Sequence, residues 1–234
     1  MEDTSPLAAP APESPPDTHD GSGVRLLIRA VLATARRPTR PTFATWMRVV
    51  EPAWIPRLLL ALIALDMLSG LTGLVEGRFI ASSSASPANY LIFFPLYNLI
   101  WLTLAVLGAA ALKPAGQERT SIRERARHIL RPYLLALIVV ALVSLLIVEP
   151  VTALQFSSFG QSMLGSLLTN GAQDAILIYS LIAQLNALSA GSGVTRWALI
   201  IVLVLAAIVG VTIGGFGLVA LLSLHSLVGV HLPL

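Results

Sequence analysis

The sequence predicts an all-α integral membrane protein, built as a bundle of five transmembrane helices. Five separate apolar segments are each long enough, at ~1.5 Å per residue, to cross a hydrocarbon core of ~30 Å. The composition agrees, since 56% of the 234 residues are hydrophobic and only 12% are charged, against about 25% charged residues in soluble domains. The predicted spans are 56–75, 90–112, 132–154, 163–188 and 197–224, which together form a transmembrane domain over residues 55–234.

The basic residues lie almost entirely in alternate connections between these segments, on what would be one side of the membrane. This distribution predicts the orientation of the chain. Of 15 Lys and Arg residues, seven precede or open the first span, six separate the second and third, and Arg196 separates the fourth and fifth. Only Arg78 remains for the other side. Because cytoplasmic loops carry the excess of Lys and Arg, the N-terminus is predicted to be cytoplasmic and the C-terminus external or lumenal. We expect a multi-pass protein, in the plasma (inner) membrane if the source is prokaryotic.

The N-terminal region divides into two parts before the first span. Residues 1–23 hold five prolines and five acidic residues but no Lys or Arg, which predicts a disordered acidic, Pro-rich tail. Residues 24–54 are instead predicted to form cytoplasmic interfacial helices. A first short helix covers Val24–Ala35, and Pro38 and Pro41 interrupt it before a second helix begins.

The second short helix places Phe43, Trp46, Met47 and Val50 on one face by helical spacing. One interpretation is that this face lies on the anionic headgroups of the cytoplasmic leaflet. The other is that it packs against the loops of the bundle. The candidate membrane-surface contacts are Arg40, Phe43, Trp46 and Arg48.

The basic loop before the third span carries a helix-start signal. Ser121 and Glu124 have the spacing of a capping box, so a helix is predicted to begin near Ile122. This amphipathic helix should lead into the third span and reach Pro132 at the membrane surface. The arginines lie beside membrane spans rather than along a soluble face, which excludes a nucleic-acid partner.

Two acidic residues lie deep inside predicted spans. Asp66 and Asp174 are both about 15 Å from the nearer end of their spans, at ~1.5 Å per residue, so both fall near the midplane. If they face each other, they could share a proton or a bound cation. Alternatively, each is a neutral carboxyl group that holds helices together through a hydrogen bond. The candidate intramembrane polar site is Asp66, Asn98, Asn170, Gln173 and Asp174.

The fifth span carries small residues at four-residue spacing, namely Ala206, Gly210 and Gly214. Such a stripe lets another helix approach closely. The neighbouring helix belongs either to the same chain or to a partner, so a homo- or hetero-oligomer is an open alternative.

The sequence offers no support for catalysis or for a cofactor. It has no cysteine and only four histidines, which show no metal-ligand spacing. It also lacks a metalloprotease helix motif, a nucleophile-elbow motif and a phosphate-binding glycine loop. We therefore expect a protein that is not an enzyme and binds no cofactor or metal.

Three stretches resemble a known family: Ala35–Phe43, Ser121–Tyr133 and Ile178–Ser189. Together with the five-span layout, they make residues 35–225 similar to the Yip (Ypt/Rab-interacting protein) domain family, in particular to its divergent prokaryotic-type members. The resemblance implies a non-enzymatic membrane protein that acts through contacts with other membrane proteins or lipids. It transfers no site residue.

These observations support three functional hypotheses. The leading one is a scaffold or accessory subunit whose partners are other integral membrane proteins and anionic lipid headgroups. The second is a small permease or a proton or ion pathway that uses Asp66 and Asp174. The third is a membrane-shaping or lipid-sensing protein that uses the amphipathic face of residues 24–54.

Overall fold

The computed structural model describes residues 23–75, 91, 94–112, 121–155 and 157–228, and the regular structure in these ranges is entirely helical. The all-α class is therefore confirmed for this part of the chain. Residues 1–22, which carry nearly all of the predicted disordered tail, lie outside the described residues. The helices are α1 (Gly23–Arg36), α2 (Arg40–Val49), α3 (Ile55–Val75), α4 (Phe94–Ala111), α5 (Ile122–Val143), α6 (Glu149–Gln155), α7 (Met163–Ser192) and α8 (Arg196–Val228).

Three helical stretches are long and apolar enough to cross a membrane: Pro52–Val75, Ile122–Gln155 and Met163–Ser192. Two further described stretches, Pro95–Ala111 and Arg196–Gly210, are apolar but shorter. The chain is thus a helical protein with membrane-spanning capacity. The count of five spans stays a prediction, as does the orientation of the termini.

Helix α5 lies at the centre of the bundle, where it packs against α7, α3, α4, α1 and α2. It begins as predicted, because the Ser121 hydroxyl accepts a hydrogen bond from the Glu124 amide and the Glu124 carboxylate accepts one from the Ser121 amide, both at 3.2 Å. The following basic turn is largely exposed, whereas residues 132–139 are all buried. One continuous helix therefore joins the basic surface to the core of the bundle.

Helices α5 and α7 come into close contact near Pro132. Proline has no N–H to bond the carbonyl of His128 four residues earlier, yet α5 continues through it. A Cβ atom at Gly191 of α7 would lie 2.7 Å from the Ile129 Cα and 3.2 Å from the His128 oxygen. The missing side chain at Gly191 thus permits the contact between the two helices.

Helix α8 packs mainly against α4, and the predicted stripe of small residues lies in this contact. Ala206 is 4% exposed and Gly210 is buried. A Cβ at Gly210 would be 3.6 Å from a ring carbon of Tyr97. These two positions therefore pack within the chain, which is the first of the two alternatives. Gly214 belongs to α8, but its surroundings lie outside the described part of the structure.

Helices α1 and α2 form a hairpin that packs on α5 and α7. Its bounds agree with the sequence, since α1 ends at Arg36, Pro38 lies in the link and Pro41 is in the first turn of α2. Phe43 is fully buried and Trp46 is 7% exposed. The apolar face of α2 is thus covered by protein, so it cannot also lie in the headgroup region.

The helix that begins at Ile122 changes geometry near its far end. Residues Ser144–Val148 form a π-helical segment, which leads directly into α6. Pro150 follows closely and has no N–H to donate to the carbonyl of Leu146. A local π-helical segment is one way for a helix to accommodate this missing hydrogen bond. The segment lies against α3 and α7, so it affects the shape of the bundle interior.

Candidate functional site: a polar cavity beside Asp66

A cavity of about 360 Å³ lies between α3, α4, α5 and α7. Its wall combines polar side chains with the apolar Leu62 and Leu137 and the aromatic Tyr97 and Trp101. Polar groups are expensive in the interior of a membrane bundle and often mark function. The polar lining residues are Asp66, Ser69, Asn98, Ser144, Ser180 and Gln184.

Asp66 lies near the middle of α3 and is 6% exposed. It faces inward because it belongs to the buried stripe of α3, which repeats every four residues through Leu58, Leu62, Asp66 and Gly70. The Asn98 side chain on α4 lines the same cavity. The structure thus brings together two of the five predicted polar residues, Asp66 and Asn98, at the wall of one cavity.

A ring of hydrogen bonds fixes the opposite wall. The Trp101 indole N–H donates to the Tyr133 hydroxyl at 2.7 Å and to the Gln184 Oε1 at 3.1 Å. The Tyr133 hydroxyl donates to the same Gln184 oxygen at 2.8 Å, and the Gln184 amide donates to the Ser180 hydroxyl at 3.0 Å. Because these bonds join α4, α5 and α7, they hold the cavity wall in one arrangement.

A second carboxyl group stands behind the cavity. The Ser69 hydroxyl donates to the Glu149 carboxyl at 2.6 Å, which joins α3 to the first residue of α6. Since Ser69 lines the cavity, the Glu149 carboxyl group is connected to the cavity wall through the Ser69 side chain. The π-helical segment contributes Ser144 to the same wall.

The other three predicted polar residues lie on α7 away from this cavity. The Gln155 amide donates to Asn170 and to Gln173, both at 3.2 Å, and Gln173 donates to the Thr152 hydroxyl at 3.3 Å. Asp174 is exposed on the outer surface of the bundle. These residues therefore join α7 to α6 and the bundle surface rather than to Asp66.

Of the two alternatives for Asp66 and Asp174, the one in which they face each other does not match the structure. Asp66 faces the cavity, whereas Asp174 is exposed and is not part of the cavity wall. The two residues have similar depths along their helices, but depth does not determine which way a side chain points. A shared proton or cation between them has no support in this geometry.

Polar side chains of the bundle also hold the N-terminal hairpin. The Tyr179 hydroxyl donates to the Ala35 carbonyl at 2.9 Å, and the Asn186 amide donates to the Pro38 carbonyl at 2.6 Å. On the other side, the Arg131 guanidinium donates to the Val50 carbonyl at 3.1 Å. These three contacts, which we call the hairpin clamps, satisfy carbonyl groups that lie beyond or near helix ends.

Of the candidate membrane-surface contacts, Arg40 and Arg48 are exposed, but Phe43 and Trp46 are buried within the chain. The second of the two interpretations of α2, packing within the protein, therefore matches the geometry, although α2 meets helices rather than loops. In the hairpin, Ile28 and Leu32 on α1 are both 52% exposed and one turn apart. They could contact lipid.

Trp101, Tyr133 and Gln184 are not among the predicted site residues. Their signal in the sequence is a hydrogen-bonding side chain within an apolar segment. In the described part of the chain, no group of three His, Cys, Asp or Glu side chains could hold a metal ion. Comparison with protein-family models, with curated proteins and with solved structures finds no match to this chain.

Proposed function

We propose that the chain crosses the membrane five times, with its N-terminus in the cytoplasm and its C-terminus outside. Contacts at one end of the bundle support this topology. The Arg125 guanidinium donates to the Leu112 carbonyl at the end of α4, at 3.3 Å, and Arg131 reaches the end of α2. The end of α7 lies beside the same part of α5 at Gly191. The basic residues thus gather where the positive-inside rule requires the cytoplasmic ends to be.

We further propose that the protein is a non-enzymatic scaffold or accessory subunit that binds another integral membrane protein through the outer face of α7. The observation that carries this proposal is the exposed Asp174. On its C-terminal side, the exposed face of α7 is apolar, with Leu177 at 71%, Ile178 at 58% and Leu181 at 47% exposure. The exposed Asn170 lies one turn earlier, but its side-chain amide is already bonded to Gln155 and Ser166. The Asp174 carboxyl group therefore needs a polar neighbour from another helix.

The energetic argument concerns the surroundings of Asp174 in a membrane. An acidic side chain near the centre of a transmembrane helix costs about 2.5–3.5 kcal/mol on insertion scales. Asp174 has no hydrogen-bond partner within the described ranges. A polar or basic side chain on a neighbouring membrane helix would remove this cost, and hydrogen bonds between helices are a recognised source of association.

Site-specific photocrosslinking in the native membrane tests this proposal. A photoreactive residue replaces Leu177, one turn from Asp174, and in a matched control it replaces Leu205 on α8, which is 55% exposed. We expect a crosslinked protein from position 177 and mainly lipid adducts from position 205. The crosslink should disappear when Asp174→Leu is added. Equal crosslinking at both positions, or none at 177, would contradict the proposal.

A crosslinked product of twice the chain's mass would identify the partner as a second copy, whereas another mass would identify a different membrane protein. Either result agrees with the resemblance to the Yip family, which remains a prediction. The lipid-sensing alternative has less support, because Phe43 and Trp46 are covered by protein.

A second candidate function is a proton or ion pathway, and the cavity beside Asp66 is the observation that favours it. Purified protein in sealed vesicles should then carry a flux that Asp66→Asn abolishes. Glu51→Gln, which removes an exposed carboxyl group outside the cavity, serves as the control and should retain the flux. A wild-type flux equal to that of empty vesicles would exclude this candidate.

A further inference from the structure

We propose that the cavity beside Asp66 is a binding site for a small organic cation, specifically a primary ammonium with an apolar body. Asp66 supplies the counter-charge. This inference goes beyond the proposed function, because it requires neither a protein partner nor transport. It rests on the charge balance, the lining chemistry and the size of the cavity.

The charge balance of the cavity is incomplete. Asp66 is almost fully buried, and Asn98, which lines the same cavity, is neutral. Among the described residues, those that line the cavity include no Lys, Arg or His. An isolated carboxylate in such surroundings is costly unless it is paired or neutralised. A bound cation would provide the missing charge.

The lining favours an organic cation over a metal ion. Metal ions of the hard type are held by several oxygen ligands, with more than one carboxylate in most high-affinity sites. Of the described residues on the cavity wall, Asp66 is the one that carries a carboxylate. Tyr97 and Trp101 line the cavity on successive turns of α4, with their ring centroids 6.4 Å apart. Aromatic rings attract ammonium groups, and Leu62 and Leu137 provide a surface for an apolar body.

The hydrogen bonds already made around the cavity show which of its oxygen atoms can still accept a hydrogen bond from a bound ammonium. A primary ammonium has three N–H donors. The Gln184 oxygen already accepts from Trp101 and Tyr133, so it is occupied. The Ser69 hydroxyl has donated its hydrogen to Glu149, which leaves its oxygen as an acceptor. Asp66, Ser69, Ser144 and the Asn98 oxygen therefore remain as acceptors for the ammonium.

The size and position of the cavity are consistent with a small ligand. Its volume of about 360 Å³ lies at the lower end of the range of ~300–1,000 Å³ seen for small-molecule sites. Asn98, Trp101 and Ser180 are half-buried rather than enclosed, so a ligand can reach the cavity between the helices. The adjoining π-helical segment is a feature that often accompanies functional sites.

The experiment measures binding to the full-length protein in lipid nanodiscs. Benzylammonium is the probe, and benzyl alcohol is its neutral counterpart of nearly the same shape. We expect saturable binding of benzylammonium at one site, and binding of benzyl alcohol that is weaker by about tenfold or more, as the loss of a charge-assisted hydrogen bond implies. Sodium chloride at the same concentration should not displace the amine.

Variants locate the site. Asp66→Asn should weaken benzylammonium binding by about tenfold or more, whereas Glu51→Gln should leave it unchanged. If Asp66→Asn does not elute as a folded protein, the comparison of amine with alcohol in the unmodified protein still decides the question. Equal affinities for the two probes, unchanged binding in folded Asp66→Asn, or displacement by sodium at equal concentration would each overturn the proposal.

Discussion

The close contact between α5 and α7 at Gly191 can be tested by adding a single methyl group. The substitution Gly191→Ala places a Cβ atom 2.7 Å from the Ile129 Cα and 3.2 Å from both the His128 oxygen and a ring carbon of Pro132. Gly171→Ala is the matched control on the same helix, because a Cβ atom there has no neighbour within 4 Å among the described residues.

The expected loss of stability in Gly191→Ala follows from these distances. Nonbonded carbon atoms prefer a separation of about 3.5–4.0 Å, so the new methyl group at residue 191 is too close to Ile129 by roughly 1 Å. The obstructing atom belongs to the backbone of α5 and cannot rotate away, so α7 must shift. Overpacking of this kind costs about 1–3 kcal/mol. Residue 171 lies in the interior of α7 and gains up to about 1 kcal/mol of helix propensity on substitution by Ala, whereas residue 191 lies next to the last residue of the helix and gains less. This difference in propensity has the same sign as the cost of overpacking.

We therefore expect Gly191→Ala to have a free energy of unfolding about 1–3 kcal/mol lower than that of Gly171→Ala. The assay is unfolding by sodium dodecyl sulfate of both variants and the unmodified protein in the same mixed micelles, followed by circular dichroism. Equal stabilities for the two variants would refute the inferred close contact between α5 and α7.

Three further predictions concern hydrogen bonds. Tyr133→Phe should lower the free energy of unfolding by about 1–3 kcal/mol in the same assay, because Trp101 and Gln184 lose a buried partner; an unchanged stability would contradict the bonded wall. Asn186→Ala should increase hydrogen exchange in α1, α2 and their link relative to the rest of the chain; equal protection in both proteins would argue against a clamp. Ser121→Ala should cost about 1 kcal/mol, and Ser121→Asp should restore most of it; a fully stable alanine variant would show that the capping box contributes nothing.

The sequence predicts the surface elements more fully than the interior. Hairpin helices α1 and α2 are amphipathic, interrupted by prolines and carry periodic apolar residues, so their bounds follow from local chemistry. The start of α5 follows likewise from its capping box. The apolar residues of α3 are spread around the helix, so their periodicity does not indicate which face is inward.

The lack of a local signal for helix rotation explains why the sequence left open whether Asp66 and Asp174 face each other. Their depth could be calculated from ~1.5 Å of rise per residue, but the rotation of each helix depends on its neighbours. For α7, the bonds of Gln155 to Asn170 and Gln173 help to fix this rotation. Pairing between distant segments, such as Ser69 with Glu149, is equally absent from local sequence patterns.

The hairpin clamps connect parts of the chain that are synthesised at different times. Asn186 lies 148 positions after Pro38, and Tyr179 lies 144 after Ala35. At about 5–20 residues per second, the ribosome needs roughly 7–30 s to add that length. During this interval the face that carries Phe43 and Trp46 has no α7 to cover it. The membrane interface is then the nearest surface on which these apolar side chains can be buried. Binding to the membrane surface and packing within the protein would then be successive steps in the folding of one nascent chain.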